Sequence, residues 1–437
     1  MGVVRLRDTN GGRTLGLVGA TSVSDGLRVA WYRISSTRGR RWGGHLALAV
    51  LIAILGATAM ASMAAARRTQ SAYPRYLSST DPADLTFSTY GAGPQSSANA
   101  YSPALAARIG ALPRLRHVET WVGVFGTPLK ANGAPDFSKL GELNAAGSLS
   151  GLYFREDRAT PVVGRMAEPS RRDEFVTTAL GARVLELHVG DVLAMGFYGA
   201  DQPAQPGFGT PAVPPRIRLN TRLVGLVVFN NEVIEDEADR LPTNVLFTPA
   251  LTRLTLGFGG TQGTWFGLQL ANPARDVPTV EAEIIRLLPA QNAAFFRTTS
   301  VEEAKVERAV RPESIALGAF GAIAALAVLA VAGLSISRLL RAGGADNSVL
   351  RGLGAGPVVN MADSLIGTLA AVLVGAALAG AATVLASPIA PLGPIRRVYP
   401  APGIAVDWTI VGGGIAVLVG GLGVVTVLVA YHAAPRS

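Results

Sequence analysis

The chain has 437 residues, of which 49% are hydrophobic, 16% are charged and none is cysteine. Soluble domains carry about 25% charged residues, so the composition excludes an ordinary soluble protein, and the lack of cysteine excludes disulfides, thiolate zinc sites and thiol redox chemistry. The net charge is +9, but the arginines gather beside apolar runs, which points to a membrane flank and no nucleic-acid partner.

Residues 1–44 form a basic tail holding Arg5, Arg7, Arg13, Arg28, Arg33, Arg38, Arg40 and Arg41. Leu27–Ile34 mixes apolar and basic positions, as either a short amphipathic helix on the inner leaflet or a plain basic flank. The apolar run Leu46–Ala66 is longer than the core of a signal peptide, and the tail before it is too long for a leader. It reads as a retained span.

The stretch that follows alternates between strand and helix signals. Strands are expected at Asp84–Tyr90, Val118–Phe125, Glu174–Thr178, Arg216–Phe229, Asn244–Phe247 and Trp265–Leu270. Helices are expected at Pro103–Leu112, Ala179–Leu187 and Val277–Leu288, the last with Val280, Ile284, Leu287 and Leu288 on one side. His188–Asp191 reads as a tight turn. Glu232, Glu235, Asp236, Glu237 and Asp239 make an acidic run, either a solvated face or a cation site. Val301–Arg311 has helical charge spacing, Glu307 with Arg311 and Glu302 with Lys305, and reads as a stalk leading into the next span.

Three further runs lack any charged residue: Ile315–Ser337, Ser364–Ser387 and Trp408–Tyr431. Each is long enough to cross a bilayer as a helix. The fold class is therefore an α-helical membrane protein with four transmembrane helices and a large extracytoplasmic α+β domain between the first two. With the basic tail inside, the expected division is a cytoplasmic tail 1–44, span 45–66, outer domain 67–311, span 312–337, cytoplasmic loop 338–362, span 363–387, outer loop 388–407, span 408–431 and cytoplasmic tail 432–437. Arg67, Arg68, Arg396 and Arg397 fall outside in this scheme, against the charge rule, and are outweighed by the cluster before Leu46.

No catalytic machinery is legible. There is no nucleotide-binding Gly-x-x-x-x-Gly-Lys-Ser/Thr and no His-Glu-x-x-His. The four histidines, His45, His117, His188 and His432, lie far apart. No catalytic, cofactor or metal residues are assigned. The middles of the spans hold no ionisable group of the kind that ion-coupled carriers keep. They hold small residues instead: Gly375 and Ala379 are four apart, as are Ala376 and Gly380, and Gly412 opens a glycine-rich fourth span. Such spacing permits close helix packing, though glycine is also common in membrane helices generally. Leu350 and Leu353 flank Arg351 in the short cytoplasmic loop, and suit either a protein partner or the lipid interface.

The layout and several short runs resemble the FtsX/MacB-type permeases, the membrane subunits of a class of ABC systems. Arg38–Trp42 and Ala64–Leu77 are similar to the flanks of span one in actinobacterial members. Val163-Gly164-Arg165, Asp173–Val176 and Leu187–Asp191 resemble runs of the family's outer domain. Leu350-Arg351-Gly352-Leu353-Gly354-Ala355 resembles its cytoplasmic Leu-Arg-x-Leu-Gly motif. Ser387–Pro394 with Asp407-Trp408 resembles its outer loop.

The resemblance implies a permease with no cofactor of its own, ATP being bound by a separate cytoplasmic ABC ATPase. That ATPase would be met by Leu350, Arg351, Leu353 and Gly354. The resemblance also implies membrane lipids as surroundings, a homodimer or a pairing with a second permease half, and an extracytoplasmic substrate or cell-wall enzyme. The function expected is export, extrusion or extraction driven by the ATPase; the alternative is a membrane-anchored scaffold or regulator of a wall enzyme. Gly356–Val359 departs from the family, which often has basic residues there. The chain stops soon after its fourth span, as expected of a half-length unit or a truncated, weakly functional one.

Overall fold

A computed structural model describes residues 42–90, 101–138, 143–233, 243–289, 292–342, 357–400 and 402–433. The chain divides into two compact units, one of Met1–Met63, Phe320–Leu385 and Val406–Ser437, the other of Ala64–Ala319 and Ala386–Ala405.

The apolar stretches of four long helices supply the first unit: α1 (Trp42–Gln70) and α7 (Thr299–Ala342), each of which also has one end in the second unit, α8 (Pro357–Ala386) and α9 (Trp408–Ala433). All four are long and apolar enough to cross a membrane. Their shared core takes Ile52, Met60, Val328, Ala332, Ile336, Ala376, Ala379 and Leu422. The opposite faces carry exposed Ile54, Ile323, Leu326, Leu334 and Leu385. Apolar side chains on both faces of a helix suit a lipid surround, where every backbone polar group is satisfied within the helix. Asp407 Oδ1 accepts from the Thr409 and Ile410 amides at 3.1 and 3.2 Å and so caps the start of α9.

Two helices outrun the spans read from hydropathy. α1 continues to Gln70, and α2 (Ala72–Thr80) follows it at once. α2 is only nine residues long, and Ala72, Tyr73, Tyr76, Leu77 and Thr80 repeat at helical spacing and are its buried face. α7 is one helix of 44 residues with Pro312 inside it, so the charged stalk and the apolar span are a single element.

The second unit is built on one sheet of eleven strands: β1 (Leu85–Tyr90), β2 (Leu115–Val124), β3 (Gly126–Pro128), β4 (Leu143–Ser148), β5 (Thr160–Gly164), β6 (Glu174–Thr177), β7 (Val192–Phe197), β8 (Ile217–Val228), β9 (Thr243–Phe247), β10 (Thr261–Leu270) and β11 (Ala293–Thr298). The order is β11-β1-β10-β2-β4-β9-β6-β8-β7-β3, with β5 paired to β8. The pairs β4–β9 and β6–β8 are parallel; the others are antiparallel. The helices are α3 (Pro103–Gly110), α4 (Ala179–Leu185), α5 (Pro249–Leu256) and α6 (Pro273–Leu287). Ser102, Thr178 and Thr248 cap α3, α4 and α5 through their hydroxyls.

Strand alternation sorts the two faces of the β11-β1-β10-β2 end. Leu85, Phe87, Phe266 and Leu268 pack with Ile109 of α3 and with Val280 and Ile284 of α6. Thr86, Ser88, Trp121 and Trp265 line a cavity, whose walls Phe87 and Phe266 also reach. At the other end Phe175, Met195, Phe197, Leu223, Val245 and Phe247 make a separate core with Leu185 and Leu251.

The loop after α8 belongs to this second unit. Ile395, Val398 and Tyr399 are buried with Ala72, Tyr73, Tyr76 and Leu77 of α2 and with Val306 and Val310 of α7. Arg68, only 9% exposed, donates to the carbonyls of Ser387 at 2.8 Å and Gly403 at 3.1 Å, and its guanidinium lies 5.1 Å from the Tyr399 ring centre. The Arg75 guanidinium reaches the Tyr399 hydroxyl at 3.1 Å. Arg68→Ala removes two charged hydrogen bonds and a cation–π contact, about 1–3 kcal/mol. Amide exchange over 387–405 is expected to accelerate about tenfold or more, with the sheet unaffected. Unchanged exchange in that segment would show that the loop holds its shape without Arg68.

Candidate functional site

Leu350, Arg351, Leu353 and Gly354, the expected coupling residues, lie outside the described residues. So do 234–242, which hold most of the acidic run; of that run only Glu232 is described, and its carboxylate accepts from Asn244 Nδ2.

The small residues of the spans fall into two groups. Gly375 lies against α1: a Cβ there would sit 2.8 Å from the Ala49 carbonyl oxygen and 2.8 Å from Ile52 Cβ. Gly380 lies against α9, where a Cβ would be 2.9 Å from Ile415 Cδ1. Ala379 is fully buried and sits 3.1 Å from the position a Cβ on Gly56 would take. Gly412 differs, since a Cβ on it would meet nothing within 4 Å. The structure therefore gathers Gly375, Ala379 and Gly380 at helix contacts and leaves Gly412 away from them.

The run around Val163 and Glu174 converges on one ion pair. Glu174 opens β6, and Arg165 directly follows β5. Arg165 binds Glu174 with both terminal nitrogens, at 2.8 and 2.7 Å. The Glu168 amide and Arg171 Nε complete the carboxylate's partners at 3.1 Å each. These donors hold the Glu174 carboxyl below the usual carboxylate range, the Arg165 hydrogen bonds first among them. The arrangement ties β5 to β6 through side chains, and Gly164 makes it possible by taking φ +74° beside the Val224 carbonyl. His188–Asp191 is the expected turn: the His188 amide donates to Asp191 Oδ2 at 2.8 Å and Gly190 adopts φ +107°.

The cavity on the second sheet face has a volume of about 200 Å³. Its walls are aromatic over much of their extent: Tyr73, Phe87, Trp121, Tyr153, Trp265, Phe266 and Phe295. Trp121 and Trp265 are register partners on β2 and β10 and stack with centroids 3.8 Å apart and planes 4° apart. Tyr153 tilts towards Trp121 at 6.1 Å and meets Phe229 edge-on at 4.8 Å. Asn144, Asn230, Asn231 and Asp157 supply polar wall, as do Arg297 and Glu302, which pair at 3.4 Å.

Behind this wall stands a group of buried carboxylates. Asp157 is 8% exposed and accepts from Asn230 Nδ2 at 2.8 Å and the Ala83 amide at 3.2 Å. Burial pushes it up to about 6, against the lowering effect of those bonds. Glu156 is 1% exposed, and neither carboxylate oxygen has a hydrogen-bond partner among the described residues. Burial first, then the charges of Asp157, Glu119, Asp81 and Asp84, push it up to about 8. Glu119 is also buried, with Oε1 2.9 Å from both His117 Nε2 and the Arg155 guanidinium. Among the described residues no group of three or more His, Cys, Asp or Glu side chains has the geometry to hold a metal ion.

Sequence reasoning missed both the cavity and the acid group. Asp81, Asp84, Glu119, Glu156 and Asp157 come from separate loops and strands, and no spacing rule joins them. The aromatic pair had a weak signal: Trp121 and Trp265 each sit in a strand with polar neighbours, as residues facing a half-covered sheet surface do.

The chain is thus a multi-pass membrane protein carrying a large α+β domain outside the bilayer between its first span and the last three. Among solved structures it is similar to the extracellular domain of the noncanonic ABC-type transporter YknZ from Gram-positive bacteria, at 10% identity and a TM-score of 0.30, over 48% of this chain and 99% of that one. It is also similar to the periplasmic region of MacB from Actinobacillus actinomycetemcomitans, at 9% identity and a TM-score of 0.29, over 51% of this chain and 92% of that one. No protein-family model and no curated protein matches the chain.

Proposed function

We propose that this chain is the permease subunit of an ABC-type complex and carries ATPase-driven motion across the membrane to its outer domain, for export, extrusion or extraction of a substrate. The observation that carries the reading is the order of parts: one span, a large α+β domain, then three spans, with α7 running unbroken from Thr299 beside β11 through its apolar stretch to Ala342. A helix that continues from the charged stalk into the apolar stretch, with Pro312 within it, is suited to passing displacement along its axis. The runs around Arg165, Glu174 and Leu350, which resemble FtsX/MacB-type permeases, support the same reading. ATP belongs to the partner ATPase in this scheme, and the permease works as a homodimer or with a second permease half.

The ATPase contact is assigned to Leu350, Arg351, Leu353 and Gly354, in a loop placed on the cytoplasmic side by the basic residues Arg338, Arg341 and Arg351. The two leucines enter an apolar groove on the ATPase, with Arg351 at its rim. Leu353→Asp is expected to abolish recovery of the ATPase in a detergent pull-down, because an unpaired carboxylate enters an apolar groove at a cost of several kcal/mol. Arg351→Ala is expected to weaken recovery less. Undiminished recovery with Leu353→Asp, at normal expression and insertion, would remove the assignment.

A further inference from the structure

We propose that the cavity between the β1-β10-β2 face and Tyr153 is a binding site for a small organic cation, an ammonium group on a compact apolar body, with Asp157 as its counter-ion. This goes beyond the permease reading, since the site lies wholly in the outer domain and needs no ATPase.

Three observations lead to it. The first is the wall. Trp121, Trp265 and Tyr153 line the cavity, and aromatic rings attract both apolar bodies and cations. The second is charge balance. Arg297 and Glu302 neutralise each other across the cavity wall. Asp157 has no cationic partner among the described residues, only the Asn230 amide and the Ala83 backbone, and the acids Asp81 and Asp84 stand near it. The site therefore carries a surplus of negative charge at a place where solvent screens it weakly, and a cation supplies what the protein does not. The third is acceptor surplus. Asn230 gives both hydrogens of its amide to Thr80 Oγ1 and Asp157 Oδ1, while its buried Oδ1 has no partner among the described residues. An ammonium donates up to three hydrogen bonds and accepts none, so it matches the Asp157 carboxylate at the cavity wall, which an anion would face unfavourably.

Size narrows the class. Drug-sized ligands occupy pockets of about 300–1,000 Å³, and the cavity of about 200 Å³ is smaller. It suits an arylalkyl or short alkyl ammonium.

The test uses the full chain in detergent, with tryptophan fluorescence reporting on Trp121 and Trp265 and calorimetry as the direct measure. The probes are phenethylammonium, its neutral isostere phenethyl alcohol, and phenylacetate as the anion. Phenethylammonium is expected to bind saturably, with phenethyl alcohol about tenfold weaker and phenylacetate weaker still. Asp157→Asn keeps an acceptor oxygen for Ala83 and removes the charge; it is expected to erase the preference for the ammonium over the alcohol. Equal binding of ammonium and alcohol to the unaltered protein would overturn the proposal, and that comparison needs no variant to fold. So would a lack of saturable binding up to about 10 mM, or a preference that survives Asp157→Asn in a folded variant. Saturable binding of a neutral sugar at the same concentrations, with no response to the ammonium, would overturn the proposal and reassign the cavity to carbohydrate.

Discussion

Replacing Glu156 with Gln is expected to stabilise the outer domain at pH 8 and to flatten its dependence on pH. The carboxyl is buried, has no hydrogen-bond partner among the described residues, and faces Asp81, Asp84, Asp157 and Glu119, while Arg155 and His117 attach to Glu119 instead. Its proton is held up to about pH 8, whereas a free Glu loses it near 4.5. The folded state therefore binds more protons than the unfolded chain between those values. Stability from this group is complete below about pH 4.5 and falls as pH rises through 8, by about 1.4 kcal/mol per pH unit at the steepest. Asp157, held up to about 6, adds a second decline in the same direction between its ordinary value and pH 6. Gln cannot ionise, so the variant keeps only the Asp157 part. The measurement is the melting temperature of the full chain in detergent from pH 4.5 to 8.5. Parallel curves for the two proteins, or a lower melting temperature for the variant at pH 8, would mean that Glu156 has partners the structure does not show.

Gly375→Ile is expected to break the packing of α8 on α1, while Gly412→Ile leaves the helices unharmed. At Gly375 the first added carbon already falls 2.8 Å from a backbone carbonyl of α1, and backbone cannot step aside as a flexible side chain can. Overpacking of a tight interior costs about 1–3 kcal/mol, and more when main chain must move. A Cβ on Gly412 has open space around it, so its isoleucine starts with no close neighbour among the described residues. Two substitutions of identical chemistry in two spans separate the cost of packing from the cost of a larger side chain. Thermal stability in detergent reads the difference, and equal melting temperatures would place Gly375 away from any close helix contact.

The spans were legible because their signal is length and composition, which no tertiary contact overrides. Strands β2, β8 and β10 were legible for the same kind of reason, being long with apolar and β-branched residues in alternation. The elements that escaped have specific causes. β4 reads Leu-Asn-Ala-Ala-Gly-Ser, whose small residues carry little strand preference, and it exists because β2 and β9 flank it. β11 is short and lies at the sheet edge, paired with β1 alone. α5 had a readable start, Thr248 before Pro249, but its eight residues fall below the length at which helical periodicity stands out. Arg68 shows the limit of counting charges along a chain. By the charge rule it argues for the wrong side of the membrane; in the structure it is enclosed by the carbonyls of Ser387 and Gly403 and the Tyr399 ring. Only the fold, which brings residues 319 and 335 positions apart into contact, reveals that use.

The strand order carries a consequence for how the domain is made. β1 is the first strand of the sheet to leave the ribosome, yet its hydrogen-bonding partners are β10 and β11, the last two. Loop closure over such a separation is slow, and contacts between distant segments are rewarded only once both ends are present. Leu85 and Phe87 must wait, uncovered, while almost the whole domain is synthesised and passed through the membrane, with α1 already holding its N-terminal end. A nascent chain halted before Thr261 would have an open-edged sheet and a sticky first strand, so folding of this domain is timed by the completion of its export and by the arrival of α7.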